Sequence, residues 1–334
     1  MLQTAADWRP AASLDALKLR ATLLARIRKH FSGQGVLEVD TPVLSTAGAT
    51  DPAIRSFTTT YHGPVPVAGR GCDAKLYLHT SPEFPMKRLL AAGSGSIFQV
   101  CKVFRDGESG SSHNPEFTLL EWYRTGFDHF DLMDDVEKLL RAVLDGIMSV
   151  ESVDHWTYRD LFIEVTGMDP FTATVTDMQA VLQEHCLHDP VGLSVDDRDA
   201  WLDMLMTHVI EPGLGEGLVF VRDYPASQAA LARLRPGQPA VAARFEVYLG
   251  GIELANGYHE LTDATEQQQR FAKDNARRVA HGAEPVAMDR HLLAAMQSGL
   301  PDCAGVALGI DRLLMLAGRA DTIDAMIAFP LSNA

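Results

Sequence analysis

Residues 104–123 read FRDGESGSSHNPEFTLLEWY. Apolar, β-branched and aromatic residues fill the run before the loop, SIFQVCKVFR (96–105), and the run after it, PEFTLLEWYRTG (115–126); Asp, Gly, Ser, His and Asn lie between. That pattern predicts a strand, a loop and a strand. Arg105 would end the first strand while His113, Asn114, Glu116, Phe117 and Glu121 open the second, so a cation, an amide and an aromatic face meet round a tight loop. The set suits a nucleotide, with a guanidinium for phosphate, a ring for the base and polar groups for the base edge. A charged hairpin that is merely solvated has the same composition.

Two stretches downstream carry related chemistry. In GGIELANGYHEL (250–261), Glu253 sits mid-strand and Glu260 follows beyond an Asn256–Gly257 turn signal. Two carboxylates there could share Mg²⁺, which takes oxygen ligands and commonly bridges carboxylates to substrate phosphates. Alternation around Ile252 and Leu254 equally makes Glu253 the polar face of a half-buried strand. In GVALGIDR (305–312) a glycine-punctuated strand turns into a helix with Arg312 in its first turn. Glycine admits close approach to the backbone, and a helix N-terminus beside an arginine favours phosphate, although a glycine-rich turn alone is a weak signal.

Around these elements the spacing predicts a helix over 13–32, with Ser13 as N-cap and Leu17, Leu24, Ile27 and Phe31 on one face, interrupted by Arg20 and Arg28. Leu132, Val136, Leu139, Leu140, Val143 and Leu144 form one apolar stripe of a second helix. Residues 171–215 read as a mainly helical insertion, followed by a strand at 218–221 and a turn at Tyr224–Pro225. Strands are expected over 240–249 and 252–258, a polar helix over 262–281, and a strand from Cys303 leading into a helix near Gly309. The whole, 1–334, reads as one α+β domain with an antiparallel sheet flanked by helices.

The chain has 334 residues, 46% hydrophobic and 22% charged, the composition of a globular protein. Its net charge of −15 argues against generic binding to nucleic acid or anionic membranes. The first 32 residues run the other way, with six basic side chains (Arg9, Lys18, Arg20, Arg26, Arg28, Lys29) against Asp7 and Asp15. Cys72, Cys101, Cys186 and Cys303 lie far apart and read as reduced thiols. Met1–Pro10 has no signal-peptide core and no run is long enough to span a bilayer, so a cytoplasmic protein is expected.

Taken in order, these stretches resemble the three signature motifs of class II aminoacyl-tRNA synthetases. Motif 1 resembles GVLEVDTPVL (35–44), with Pro42 at the interface position; motif 2 is similar to 104–123 and motif 3 to 305–312. HNPEFT, the following E-x-Y and GGIELANGYHEL are similar to the lysyl branch. Motif 1 begins by residue 35, leaving no room before it for that branch's anticodon-binding barrel. The architecture, with TSPEFPMKRLL (80–90), PASQAALA (225–232) and Ala307 in place of a motif 3 glycine, resembles the truncated paralogue that joins (R)-β-lysine to a lysine of translation elongation factor P.

The resemblance implies an ATP-dependent, homodimeric ligase using Mg²⁺. It puts Ser81, Pro82 and Glu83 in the amino-acid pocket, Tyr123 and Glu260 on the substrate amines, and Ala307 on a narrowed pocket floor. Arg105 would hold the α-phosphate, with Asp106, Gly107, Glu108 and His113 around it. Asn114 and Phe117 would hold the nucleotide, the adenine lying between Phe117 and Arg312; Glu253 and Leu254 would contact ATP and metal, Glu260 sharing the metal, and Gly309 would back the nucleotide. One departure is that the family's Arg-x-Glu becomes Arg105-Asp106-Gly107-Glu108, leaving open whether Glu108 reaches the adenine. His113 reads as a positioning group rather than a base. The implied acceptor is protein, not tRNA, because clustered basic side chains are confined to the small N-terminal patch. Two other readings stand beside this one: an adenylate-forming ligase with another acceptor, such as tRNA, and a non-catalytic paralogue that regulates by binding ATP or amino acid.

Overall fold

A computed structural model describes residues 8–63, 74–188 and 193–334; Asp7 and Cys72 lie outside them. The elements run α1 (Leu14–Gly33), β1 (Leu37–Glu38), β2 (Leu44–Ser45), β3 (Thr58–Tyr61), β4 (Ala74–Leu78), α2 (Glu83–Ala91), β5 (Ile97–Phe104), β6 (Glu116–Thr125) and α3 (His129–Leu144). Then follow β7 (Val153–Thr157), α4 (Tyr158–Thr166), α5 (Val175–Glu184), α6 (Arg198–Leu205), β8 (Leu218–Pro225), β9 (Leu234–Arg235), β10 (Val241–Leu249) and β11 (Ile252–His259). The chain closes with α7 (Ala264–Ala280), α8 (Arg290–Gly299), β12 (Cys303–Gly309) and α9 (Ile310–Ala317).

The main sheet has the order β1-β5-β6-β12-β11-β10-β8-β7, with β9 paired to β10, while β2, β4 and β3 form a second small sheet. Its centre is antiparallel as expected, but both edges, β1 on β5 and β7 on β8, are parallel. Alternation assigns the two faces. Leu120 and Trp122 of β6, Ala304, Val306 and Leu308 of β12, and Phe245 and Val247 of β10 enter one apolar core with α1, α3 and α9. Residues of opposite parity, Leu119, Glu121 and Tyr123, Gly305, Ala307 and Gly309, and Arg244 and Glu246, line a cleft on the other face.

Several expectations are corrected. Tyr224–Pro225 is not a turn: β8 continues through it, held by pairing with Val241 and Ala242 and by the Tyr224 hydroxyl, which donates to Glu246 at 2.5 Å. Asn256–Gly257 is also mid-strand; the hairpin turns instead at Gly250–Gly251, where both φ values are positive, 59° and 71°. Gly257 is needed for packing, since a Cβ there would lie 2.4 Å from Phe245 Cζ. The helical excursion begins at Tyr158 rather than 171. On α1 the buried stripe is Ala16, Leu23, Ile27 and Phe31, one position out of phase at its first half. Ser13 does cap α1, accepting from Ala16 N at 3.1 Å. Among the described residues no helix is long and apolar enough to cross a membrane.

Candidate active site

The cleft holds about 1050 Å³ and is walled by β6, β12, β11 and β10, with α2 and the 105–113 loop at its rim. At one end three glutamates gather round a single lysine. Lys87, on the second turn of α2 and 1% exposed, lies 2.6 Å from both Glu83 Oε1 and Glu260 Oε2. Glu121 accepts from Ser81 Oγ and from the Tyr123 hydroxyl, each at 2.7 Å. Neither oxygen of Glu260 has a well-aligned hydrogen-bond donor. Burial first, then the charge of Glu83, raises Glu121 to about 7; burial raises Glu260 to about 8 against the pull of Lys87. When all three carboxyls are ionised, one ammonium leaves two negative charges to be balanced, which suits a substrate with two amines.

The pocket floor is small by necessity. A Cβ on Gly305 would stand 2.3 Å from Tyr123 Cε1 and 2.5 Å from Glu260 Oε1. Ala307 pairs with Glu121 on one side and Asn256 on the other, so its methyl is the next step of that floor. Pro82 stands at the N-cap position of α2 and does not line the pocket, although its neighbours Ser81 and Glu83 do.

At the other end stand the arginines. The Arg105 guanidinium lies 5.1 Å over the Phe117 ring and 3.5 Å from Glu108 Oε1. Arg312, in the first turn of α9, donates to Glu253 O at 2.7 Å and to Glu253 Oε2 at 3.2 Å, and to His113 Nε2 at 2.6 Å. An arginine only donates, so His113 Nε2 is its acceptor and the imidazole is neutral, in keeping with burial and Arg312 lowering its pKa. His113 thus positions Arg312, and its lone pair is not free to take a proton. Leu254 and Gly309 line the same stretch of cleft.

The loop residues divide. Gly107 has φ of 88° and turns the chain, so that Glu108 re-enters the cleft beside Arg105. Asp106 instead faces Arg55 at 4.0 Å, and neither it nor Gly107 lines the cleft. Asn114 is in the wall, but its amide is engaged within the protein, donating to Glu116 O at 2.5 Å and accepting from Leu331 N at 3.1 Å.

The expected metal pair is also corrected. Glu253 and Glu260 sit at opposite ends of β11, roughly 20 Å apart at ~3.3 Å per residue, so one cation cannot touch both. Their odd spacing would even put them on opposite faces. A bulge, in which Tyr248 pairs with Glu253 but Val247 with Ala255, returns Glu253 to the face of Asn256, Tyr258 and Glu260. The carboxylates beside Glu253 are Glu246 and Glu211: burial and then Glu246 raise Glu253, while burial and then Glu253 raise Glu211 to about 7. Such crowded oxygen donors fit Mg²⁺. Among the described residues no group of three or more acidic, His or Cys side chains is arranged to hold a metal ion; Mg²⁺ commonly takes one or two carboxylates plus substrate phosphates.

Lys87, Gly305, Glu246 and Arg244 were not singled out as site residues by sequence, and Glu121, grouped there with the nucleotide loop, lies instead in the acid pocket with Ser81 and Tyr123. Lys87 had a signal, since Glu83 and Lys87 are spaced i, i+4. Glu246 is the polar-parity residue of β10, but nothing in the local pattern puts it beside Glu253.

Comparison with known proteins agrees with this arrangement. The family model described as tRNA synthetases class II (D, K and N) matches residues 2–333. The chain is similar to the elongation factor P–(R)-β-lysine ligase of Vibrio vulnificus, 49% identical over 97% of this chain and 98% of that one. It is likewise 49% identical to the Vibrio cholerae ligase, over 99% and 100% of the two chains, and 48% identical to that of Edwardsiella ictaluri, over 98% and 99%. With motif 2 on β5 and β6, motif 3 on β12 and α9, and the cleft between them, the chain belongs to the class II tRNA synthetases of the aspartyl, lysyl and asparaginyl group.

Proposed function

We propose that the protein is an ATP-dependent ligase that activates (R)-β-lysine as its adenylate and transfers it to the ε-amine of a lysine on translation elongation factor P. The observation that carries this reading is the pocket of Glu83, Glu121 and Glu260 around Lys87, which opens on the cleft of Arg105 and Arg312. The relatives named above, matched almost end to end, carry that activity in their names.

In the first step the substrate carboxylate attacks the α-phosphorus of ATP and pyrophosphate leaves. In the second, the acceptor amine attacks the adenylate carbonyl and AMP leaves. Neither step needs a nucleophile from the enzyme, so the residues act by positioning and by meeting charge. Glu260 and Glu121 take the two amines, Lys87 and Ser81 fixing their carboxylates. Tyr123, whose proton goes to Glu121, offers its oxygen as a further acceptor. Arg105 and Arg312 face the phosphates, His113 aiming Arg312, and Glu108, one residue beyond the Gly107 that stands where the family motif has its glutamate, re-enters the cleft beside Arg105 on the nucleotide side. Mg²⁺, held by Glu253 with Glu246 beside it, would neutralise phosphate charge.

The chain works as one catalytic unit, as a homodimer, and transfers little to tRNA; the net charge of −15 supports protein as the acceptor. Radiolabelled (R)-β-lysine offered with ATP to elongation factor P and tRNA together tests this. Label on the protein is expected, and label mainly on RNA would overturn it.

A further inference from the structure

The cleft continues past the two pockets into a second lobe, bounded by α4, α6 and the helical turn Ala226–Gln228. Three side chains there have hydrogen-bonding capacity to spare. Tyr158, the first residue of α4, is 1% exposed and lines the lobe, and its hydroxyl has no partner. Gln228, also buried, donates through Nε2 to Asp203 Oδ1 at 2.8 Å, while its Oε1 has none. Asp203, on α6, is open to the lobe, and its charge is the strongest acting on Tyr158. Leaving buried polar atoms unpaired is costly, so these atoms call for a hydrogen-bond partner.

The chemistry of that ligand follows from the acceptors. A carboxylate, an amide oxygen and a phenol oxygen around one space match the three donors and single positive charge of a primary ammonium. A guanidinium, with five donors in a planar fork, fits less well. The lobe lies beyond the amino-acid pocket in the same cleft. Arg244 is the partition: it donates to Gln228 O at 2.8 Å on the lobe side and to Asn256 Oδ1 at 3.3 Å on the pocket side, its guanidinium lies 4.4 Å over the Tyr224 ring, and its charge, which also acts on Asp203, is met by an ion pair with Glu246. Since Glu121 and Glu260 already serve both amines of the amino acid, this site is surplus to the first step.

We infer that Tyr158, Asp203 and Gln228 form the subsite that receives the ε-ammonium of the acceptor lysine before aminoacyl transfer. The inference rests on the ligase reading above. The three are positioning residues. They bring the acceptor side chain to the cleft and take no part in adenylate formation.

The test compares ATP–pyrophosphate exchange with transfer of labelled (R)-β-lysine to elongation factor P, in the full-length protein and in Asp203→Asn, Asp203→Glu and Tyr158→Phe. Loss of a charged hydrogen-bond partner should raise the acceptor KM about tenfold or more in Asp203→Asn, with exchange within about twofold of the unmodified protein. Asp203→Glu should recover part of the loss. Tyr158→Phe, which removes only an unpartnered oxygen and so keeps the test open should Asp203→Asn misfold, should raise the same KM about threefold. n-Butylamine, a bare primary amine, should compete with the acceptor in the unmodified protein and lose potency in Asp203→Asn.

An unchanged acceptor KM in both variants would overturn the inference. So would a parallel rise in the KM for (R)-β-lysine in exchange, which would make the lobe a second site for the free amino acid. Exchange without any transfer to elongation factor P by the unmodified protein would instead overturn the ligase reading itself.

Discussion

Arg20 in α1 and Asp311 in α9 form an ion pair that joins the first helix to the motif 3 helix. Asp311 is 1% exposed and also accepts from Thr118 N of β6 at 2.5 Å, while Arg20 donates to Met326 O at 2.9 Å. One carboxylate therefore ties motif 2 to motif 3, immediately before Arg312. Arg20→Ala should leave that carboxylate buried without a cation, at about 3–5 kcal/mol. The urea midpoint should fall accordingly, and exchange activity should fall more than the unfolded fraction accounts for. An unaltered midpoint would refute the linkage.

Arg312→Ala removes a donor to the phosphates and frees His113 and Glu253. Exchange should drop on the order of 10²–10³-fold. Wild-type-like exchange in this variant would sink the assignment of the adenylation site.

Gly305→Ala tests the pocket floor. Its Cβ would meet Tyr123 and Glu260 within 2.5 Å, so the pocket must distort or close. The KM for the amino acid should rise by about two orders of magnitude for an overpacking of ~3 kcal/mol, with the KM for ATP nearly unchanged. Equal effects on both substrates would show that the glycine does not belong to the amino-acid pocket alone.

The acid pocket makes amino-acid binding pH-dependent. In the free protein burial pushes the Glu121 carboxyl up to about 7 and that of Glu260 up to about 8, and both must be ionised to pair with ammonium groups. Binding below about pH 8 must then expel protons, and the KM for the amino acid should rise as pH falls from 8 to 6. Calorimetry in buffers of different ionisation enthalpy should register net proton release. The same shifts set stability without ligand: between the unfolded carboxyl value, ~4.3, and about 8 the folded protein binds more protons, so its stability should fall as pH rises through that window. A flat melting temperature across it would refute the assignment.

The motif 1 edge should carry the homodimer. Leu37 of β1 and Leu44 of β2 stand 55% and 48% exposed, an apolar surface on short edge strands. Light scattering should give about twice 36.5 kDa, and Leu37→Asp should shift the population towards monomer. A fully active monomer would exclude a functional role for that edge.

Local patterns in the sequence determined the strands of motif 2, α3, the strand-to-helix passage at Gly309, and the class of ligand those motifs suit. Each rests on neighbours within a few residues, where periodicity and turn chemistry operate. Which carboxylates would face each other was not legible in this way. The pairing of Glu253 and Glu260 failed because β11 runs straight through Asn256–Gly257, and because a bulge sets the face that Glu253 presents. Glu246 comes beside Glu253 through the register of β10 on β11, Lys87 reaches Glu260 across a sequence separation of 173, and Arg20, an apparent flaw in an apolar stripe, finds Asp311 on the last α-helix. Charge in a buried site is balanced between elements distant in sequence, so the tertiary structure alone decided which acids are paired and which are left open for substrate.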